Sequence, residues 1–270
     1  MTEYQWGSGD SPLDRPNVAR MYDYFLGGHH HLAIDREAAE AAIAAYPEVL
    51  AMARTNRSFL RRAVTFLVEQ GIDQFLDLGS GIPTVGNVHG IAQQLNPAAR
   101  VVYVDIDPIT VSYSQSMLQA TPNVTIVHAD VRRPDQILQY SEVRQLLDFS
   151  KPVAILIVAL LHFVTDDAEA YHLIHTLRDI VTRGSYLAIS HVTYEGPPPT
   201  VPVDGEKIYA HTTHPIKFRS RAQIEAFFAG FNLVEPGLVY VPLWRPESPD
   251  DLLLDQPHLS AFFAGVGHKP

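Results

Sequence analysis

The sequence predicts a doubly wound α/β fold, a seven-stranded, mostly parallel sheet with a nucleoside pocket at the carboxyl ends of its strands. Three observations carry this reading. Residues 75–81, Phe-Leu-Asp-Leu-Gly-Ser-Gly, run a short apolar strand straight into the turn Asp77-x-Gly79-x-Gly81. A second apolar run over 101–104 ends at Asp105, twenty-four residues past Gly81. A third, over 125–128, ends in Ala129-Asp130-Val131. Strands that end in acidic or glycine-rich turns at a βαβ spacing lie side by side, and ligands bind at such strand ends.

The elements follow in order. Residues 1–14 are polar and contain acids, so they read as a partly ordered arm rather than a signal peptide. Asn17 caps a helix with Val18, Met21 and Phe25 on one side, stopped by Gly27-Gly28. Asp35 caps an alanine-rich helix that ends at Tyr46-Pro47. A longer amphipathic helix follows, with Leu50, Ala53, Leu60, Val64 and Leu67 inward and Gly71 beyond its end. Strict alternation begins with strand 75–78 and helix 85–95, then strand 101–104 and a helix capped by Asp107 with Pro108 as its first residue. Strand 124–128 precedes a helix over about 135–148, and strand 153–159 precedes one from about Asp167 to Thr182; strand 186–191 makes five. Each strand is almost continuously apolar, as a sheet covered on both faces requires. Residues 193–215, with Gly196-Pro-Pro-Pro199 and a short helix around Asp204–His211, are an insertion of the length that usually carries function. Ser220-x-x-Gln223 is a capping box opening a helix that stops at Gly230. Residues 231–234 and 238–241 read as a terminal hairpin across Glu235-Pro236-Gly237. The organisation expected is one domain, with 1–71 as arm and helical layer and 72–270 as the ligand-binding core.

The turn chemistry selects the ligand. Glycine suits Gly79 and Gly81 because a sharp turn needs positive φ and close ligand approach. A dinucleotide turn wants a third glycine three residues after the second, and that position is Thr84, behind Pro83. Asp77, two residues before the first glycine, would repel a diphosphate. It suits a ligand with an ammonium and a sulfonium but no phosphate, which is S-adenosylmethionine. Asp105, at its strand end, stands where an acid accepts hydrogen bonds from ribose hydroxyls.

With these residues the chain resembles the class I S-adenosylmethionine-dependent methyltransferases over roughly residues 72–190. The resemblance implies that Asp77, Gly79, Ser80 and Gly81 form the first cofactor motif and that Asp105 with Ile106 meets the ribose side. It further implies that Asp130 accepts from the adenine amine while the Val131 N–H meets a ring nitrogen. A narrower resemblance covers nearly the whole chain. Arg15-Pro-Asn-Val-Ala-Arg20-Met-Tyr-Asp-Tyr-Phe-Leu-Gly-Gly28, Asp35-Arg-Glu-Ala-Ala39, Asn56-Arg57 and Val234-Glu-Pro-Gly-Leu238 are similar to the actinobacterial "S-adenosyl methyltransferase" family, long catalogued as a domain of unknown function. It implies the same fold and cofactor, with the N-terminal helices lying over the cleft, and brings no acceptor with it.

Composition narrows the rest. A chain of 270 residues with 46% hydrophobic content buries a full core. No run of eighteen apolar residues exists, so no membrane partner is expected. Zero cysteines exclude disulfides and thiolate metal sites and fit the cytoplasm. A formal charge of −10 argues against a general nucleic-acid binder and leaves room for a small-molecule acceptor or a local basic patch; a small-molecule acceptor is the partner expected. Oligomeric state is not legible.

Other residues carry two readings each. Arg54, Arg57 and Arg61 share one helix stripe, either a solvated face balancing Glu48 and Glu69 or, through Arg57 with Arg20, a site for the cofactor carboxylate or an anionic acceptor. Tyr22 and Tyr24 either line the acceptor pocket or pack. His162, just past the fourth strand, is the weak candidate for a catalytic base and better suits a structural or gating role; His191 is weaker still. His29-His30-His31 reads as a polar loop, because three adjacent histidines cannot all face one ion. Asp166-Asp167 reads as a helix cap rather than a metal site, since Ser190-His191 offers no further carboxylate. The reading is an S-adenosylmethionine-dependent transfer of methyl to an oxygen or nitrogen of a small molecule, without metal. Its rivals are a catalytically silent cofactor-binding module and, disfavoured by Thr84 and Asp77, a nicotinamide oxidoreductase.

Overall fold

The computed structural model describes residues 14–83 and 86–270, so the N-terminal arm and Thr84 lie outside the described residues. Three helices come first: α1 (Val18–Phe25), α2 (Ala33–Ala45) and α3 (Val49–Glu69). Alternation then runs β1 (Gln74–Leu78), α4 (Val88–Leu95), β2 (Arg100–Asp105), α5 (Pro108–Leu118), β3 (Val124–His128), α6 (Pro134–Ile137), α7 (Ser141–Leu146), β4 (Ala154–Val158), α8 (Asp167–Ile180) and β5 (Tyr186–Val192). The chain closes with α9 (Thr200–Tyr209), α10 (Arg221–Ala226), β6 (Asn232–Leu233), β7 (Val239–Tyr240) and β8 (Phe262–His268).

The sheet runs β3-β2-β1-β4-β5-β8-β6, with β7 also paired to β8. Strands β1 to β5 are mutually parallel, and β8 is antiparallel to β5, β6 and β7. The register sets Asp77 beside Tyr103 and Asp105 beside His128. The carboxyl ends of β1, β2 and β3 therefore open on one edge, where a reversal in strand order leaves a crevice.

Two expectations about the sheet are corrected. It has eight strands rather than seven, and 231–241 does not fold as a hairpin, because β6 and β7 each pair with β8. The sequence reading has no strand over 262–268, since Gly265 and Gly267 interrupt its apolar run. Those glycines serve packing: a Cβ on Gly267 would stand 2.8 Å from the Phe231 Cβ and 2.9 Å from the Phe228 ring. Several helices also differ in extent: α4 starts at Val88 rather than at 85, and α8 and α10 end earlier, at Ile180 and Ala226. The span 135–148 divides into α6 and α7, α9 starts four residues before Asp204, and α2 starts two residues before Asp35.

Caps explain the other starts. Asn17 accepts the N–H groups of Ala19 and Arg20 at 2.9 and 3.2 Å, and Asp107 accepts that of Thr110 at 3.2 Å. Asp166 accepts from Glu169 N–H at 3.0 Å, and Ser220 exchanges bonds with Gln223 as a capping box. The two sheet faces bury separate cores. Phe75 packs with Phe59, Leu60 and Val64 of α3, whereas Leu76 and Leu78 pack with Leu173 and Leu177 of α8. A third cluster, Met21, Phe25, Ala39, Ala42 and Ala53, holds the N-terminal helices together. No helix among the described residues is long and apolar enough to cross a membrane.

Candidate functional site

One cavity lies over the carboxyl ends of the parallel strands, roofed by α1, α3 and α9. At its floor the β1 turn carries Gly79 and Gly81 at φ of 69° and 61°. The N–H groups of Gly79 and Ser80 donate to the Val104 carbonyl at 2.8 and 3.2 Å. A Cβ on Gly79 would fall 2.4 Å from Leu160, so that glycine is needed for packing as well as for its conformation. At Gly81 the nearest atom to such a Cβ is Ala19 of α1, 4.0 Å away. The turn and the N-terminal layer therefore face each other across open space.

Asp105 is buried and braces this turn. Its Oδ2 accepts the Gly81 N–H at 2.8 Å, and its Oδ1 accepts the Asp107 N–H at 2.9 Å. Burial pushes its pKa up to about 6 against the pull of those two donors. Asp77 is also buried, and no hydrogen bond among the described residues reaches its carboxylate. Burial first, and the charge of Asp105 after it, push its pKa up to about 7, while Arg57 pulls it down. Arg57 lines the same cavity, 5.7 Å from the Tyr22 ring centre, with a buried Nε that has no partner among the described residues. Asp130 also borders the cavity, but Arg132 clasps it through Nη2 at 2.6 Å and Nε at 2.9 Å. Burial opposes ionisation of Asp130, yet those bonds hold its carboxyl below the ordinary value. Ser80, Ile106 and Val131 complete this end.

The remaining predicted residues divide. Tyr22 lines the cavity inside a polar chain: Ser190 donates to Asn56 Oδ1 at 2.6 Å, Asn56 Nδ2 to the Tyr22 hydroxyl at 2.9 Å, and Tyr22 to the Ala53 carbonyl at 3.1 Å. His162 lines it too, buried, with its Nδ1 unpartnered. Burial, with His191 and Arg219 adding to it, holds its pKa well below the ordinary histidine value, so the ring is neutral near pH 7. Arg20 does not border the cavity. It is 1% exposed and binds Asp35 at 2.6 Å and Asp107 at 3.4 Å, so its charge clamps α1 and α2 to the head of α5. Tyr24 does not border it either, and its hydroxyl donates to Glu40 at the surface, 3.2 Å away. Of the arginine stripe, Arg61 pairs with Glu247 and Arg54 faces solvent. His30 and His31 flank the buried carboxylate of Asp23 at 3.9 and 3.6 Å. Asp167 is taken by Arg219 and Lys217, both at 2.8 Å.

Arg219 gave no signal in the sequence. It is buried and donates to His191 Nε2 at 2.8 Å and to the carbonyls of Leu161 and Val164 at 3.2 and 2.9 Å. Because a guanidinium can only donate, His191 Nε2 is the acceptor, and its Nδ1–H donates to the Val192 carbonyl at 2.7 Å. The turn 161–163 that presents His162 is thus fixed from behind.

A model of the family described as S-adenosyl methyltransferase matches residues 6–270. The chain belongs to this S-adenosyl methyltransferase family. A putative methyltransferase from Thermobifida fusca YX is 40% identical in sequence, with a TM-score of 0.89 over 94% of this chain and 95% of that one. A DUF574 family protein from Streptomyces avermitilis MA-4680 is also 40% identical, with a TM-score of 0.90 over 95% of this chain and 98% of that one. No curated protein matches the chain. As a member of the S-adenosyl methyltransferase family, the protein is an S-adenosylmethionine-dependent methyltransferase with a Rossmann-like fold. The cavity suits that cofactor on its own evidence. Among the described residues Asp77 has no donor and Arg57 Nε no acceptor, and the turn at Gly81 leaves space beneath α1.

Proposed function

We propose that this methyltransferase acts on an oxygen or nitrogen of a small molecule, with the cofactor held at the β1–β3 end of the cavity. The observation that carries the reading is a buried carboxylate, Asp77, and a half-buried guanidinium, Arg57, lining one cavity, the carboxylate and the Arg57 Nε without hydrogen-bond partners among the described residues. A zwitterionic amino-acid moiety satisfies both, Asp77 taking the ammonium and Arg57 the carboxylate. Asp105, with lone pairs beyond its two backbone donors, takes the ribose hydroxyls. Asp130 and the Val131 N–H meet the adenine edge, with Ile106 against the ring. In this assignment Arg132 must share Asp130 with the base or release it.

S-adenosylmethionine, when bound, supplies an electrophilic methyl on a good leaving group. The protein's share of the reaction is alignment and exclusion of water. His162 stays uncharged and borders the cavity, so it can position the acceptor as a neutral imidazole. Enclosure under α1 and α9, together with the net charge of −10, favours a small acceptor over a nucleic acid. Thermal melts with S-adenosylmethionine, S-adenosylhomocysteine and NAD test the cofactor assignment. The first two should stabilise the protein and NAD should not. Equal stabilisation by NAD would overturn it.

A further inference from the structure

The cavity does not end at the cofactor residues. It continues between α1, α2, α3 and α9 into a chamber walled by Phe25, Met52, Phe163, Tyr209, Phe218 and Phe262. The charged residues that line the cavity are committed elsewhere. Asp77, Asp105, Asp107, Asp130 and Arg132 belong to the β1–β3 end, and Arg57 stands over Tyr22 and acts on Asp77. Asp23 is flanked by His30 and His31, and Asp204 is paired with Lys207 at 3.2 Å. A charged occupant of this chamber would therefore leave water without a counter-ion, which is costly.

The walls are aromatic and set for rings. Phe163 and Tyr209 stand 5.9 Å apart at an interplanar angle of 36°. The Phe218 ring lies against the α9 backbone, since a Cβ on Gly205 would be only 3.2 Å from it. Phe163 and Tyr209 pair with each other at that distance, and the aromatic wall they form with Phe218 favours a flat aromatic guest. Two polar handles are open, the His162 Nδ1 and, on α9, the Tyr209 hydroxyl, neither with a hydrogen-bond partner among the described residues. Burial pushes the pKa of the hydroxyl up, so it remains a neutral donor.

We propose that the chamber binds an uncharged aromatic molecule bearing a hydroxyl or amine, with Tyr209 holding its polar group. This rests on the small-molecule methyl-transfer reading and narrows it to a substrate class. A pocket with one open hydroxyl discriminates against guests that cannot pair with it.

Calorimetry on the full chain saturated with S-adenosylhomocysteine tests it with three probes: naphthol, naphthoate and decanol. Naphthol should bind, and the other two should bind about tenfold more weakly or worse. Tyr209→Phe should weaken naphthol by about fivefold while leaving the affinity for S-adenosylhomocysteine intact. Val201→Trp, filling the chamber from α9, should abolish naphthol binding. Naphthoate binding as tightly as naphthol would overturn the uncharged class, and decanol binding more tightly would make the occupant aliphatic. No naphthol binding to protein that does hold S-adenosylhomocysteine would overturn the proposal outright. Failure of S-adenosylhomocysteine itself to bind would instead strike the cofactor reading, and naphthol titrated alone would still decide the chamber.

Discussion

At the scale of single residues, Asp105 has two jobs, because the carboxylate assigned to the ribose also braces Gly81 and Asp107. Asp105→Ala removes charge-assisted bonds of roughly 1.5–3 kcal/mol each and frees the glycine turn. Calorimetry should show S-adenosylhomocysteine binding weakened by about tenfold or more in a protein that still folds. Unchanged affinity would remove Asp105 from the site. Asp77 makes a different prediction, one of pH. Its folded carboxyl is raised to about 7 from 3.8, so the folded state holds a proton that the unfolded chain has released. Its stabilising contribution is complete below the unfolded value and is lost as pH rises through about 7. In melts of the ligand-free protein, wild type should lose stability relative to Asp77→Asn across that window. Affinity for S-adenosylmethionine, whose ammonium needs the ionised carboxylate, should rise over the same range in wild type and stay flat in the variant. Parallel pH profiles for the two proteins would contradict the assignment. These residues were legible because a strand, a turn and an acid are neighbours in sequence. Arg20 and Tyr24 were not, because residue type does not reveal the partner. Arg20 meets Asp35, 15 positions away, and Asp107, 87 away, and so is held outside the cavity lining.

At the scale of elements, the N-terminal layer hangs on one buried carboxylate. Asp35 accepts from Asn17 N–H and Leu32 N–H, each at 2.8 Å, and from Arg20 at 2.6 Å. Asp35→Ala leaves Arg20 as a buried charge with only the longer Asp107 contact, a loss of about 3–5 kcal/mol. Hydrogen exchange should show residues 17–45 opening while β1, β2 and β4 keep their protection. Uniform loss across both would mean that the layer and the sheet unfold as one unit. In wild type, S-adenosylhomocysteine should protect residues 15–32 together with 79–83, since Ala19 faces the Gly81 turn. Protection confined to the turn would leave α1 as packing alone. Helix starts were legible through their caps, as at Asn17, Asp107 and Ser220. Strand β8 was not: its glycines read as interruptions until Phe228 and Phe231 are seen lying against them. Arg219 escaped for a similar reason, its partners His191 and Leu161 being 28 and 58 residues away.

For the whole molecule, the fold follows from the alternation of apolar runs and helices, and the cofactor from three strand ends that the sheet brings to one edge. The chamber behind them is a property of assembly. Its walls come from α1, α3, the turn after β4, α9, the segment after it and β8, and no local pattern in the sequence unites them. What such a cavity must do is deliver a methyl group to a small molecule. The direct measurement is mass spectrometry of a metabolite extract incubated with the protein and methyl-labelled S-adenosylmethionine. The label should appear on an uncharged aromatic compound of low mass, and it should vanish with Gly81→Val, whose side chain would enter the space beneath α1. Label found only on macromolecules, or transferred to nothing, would contradict the account.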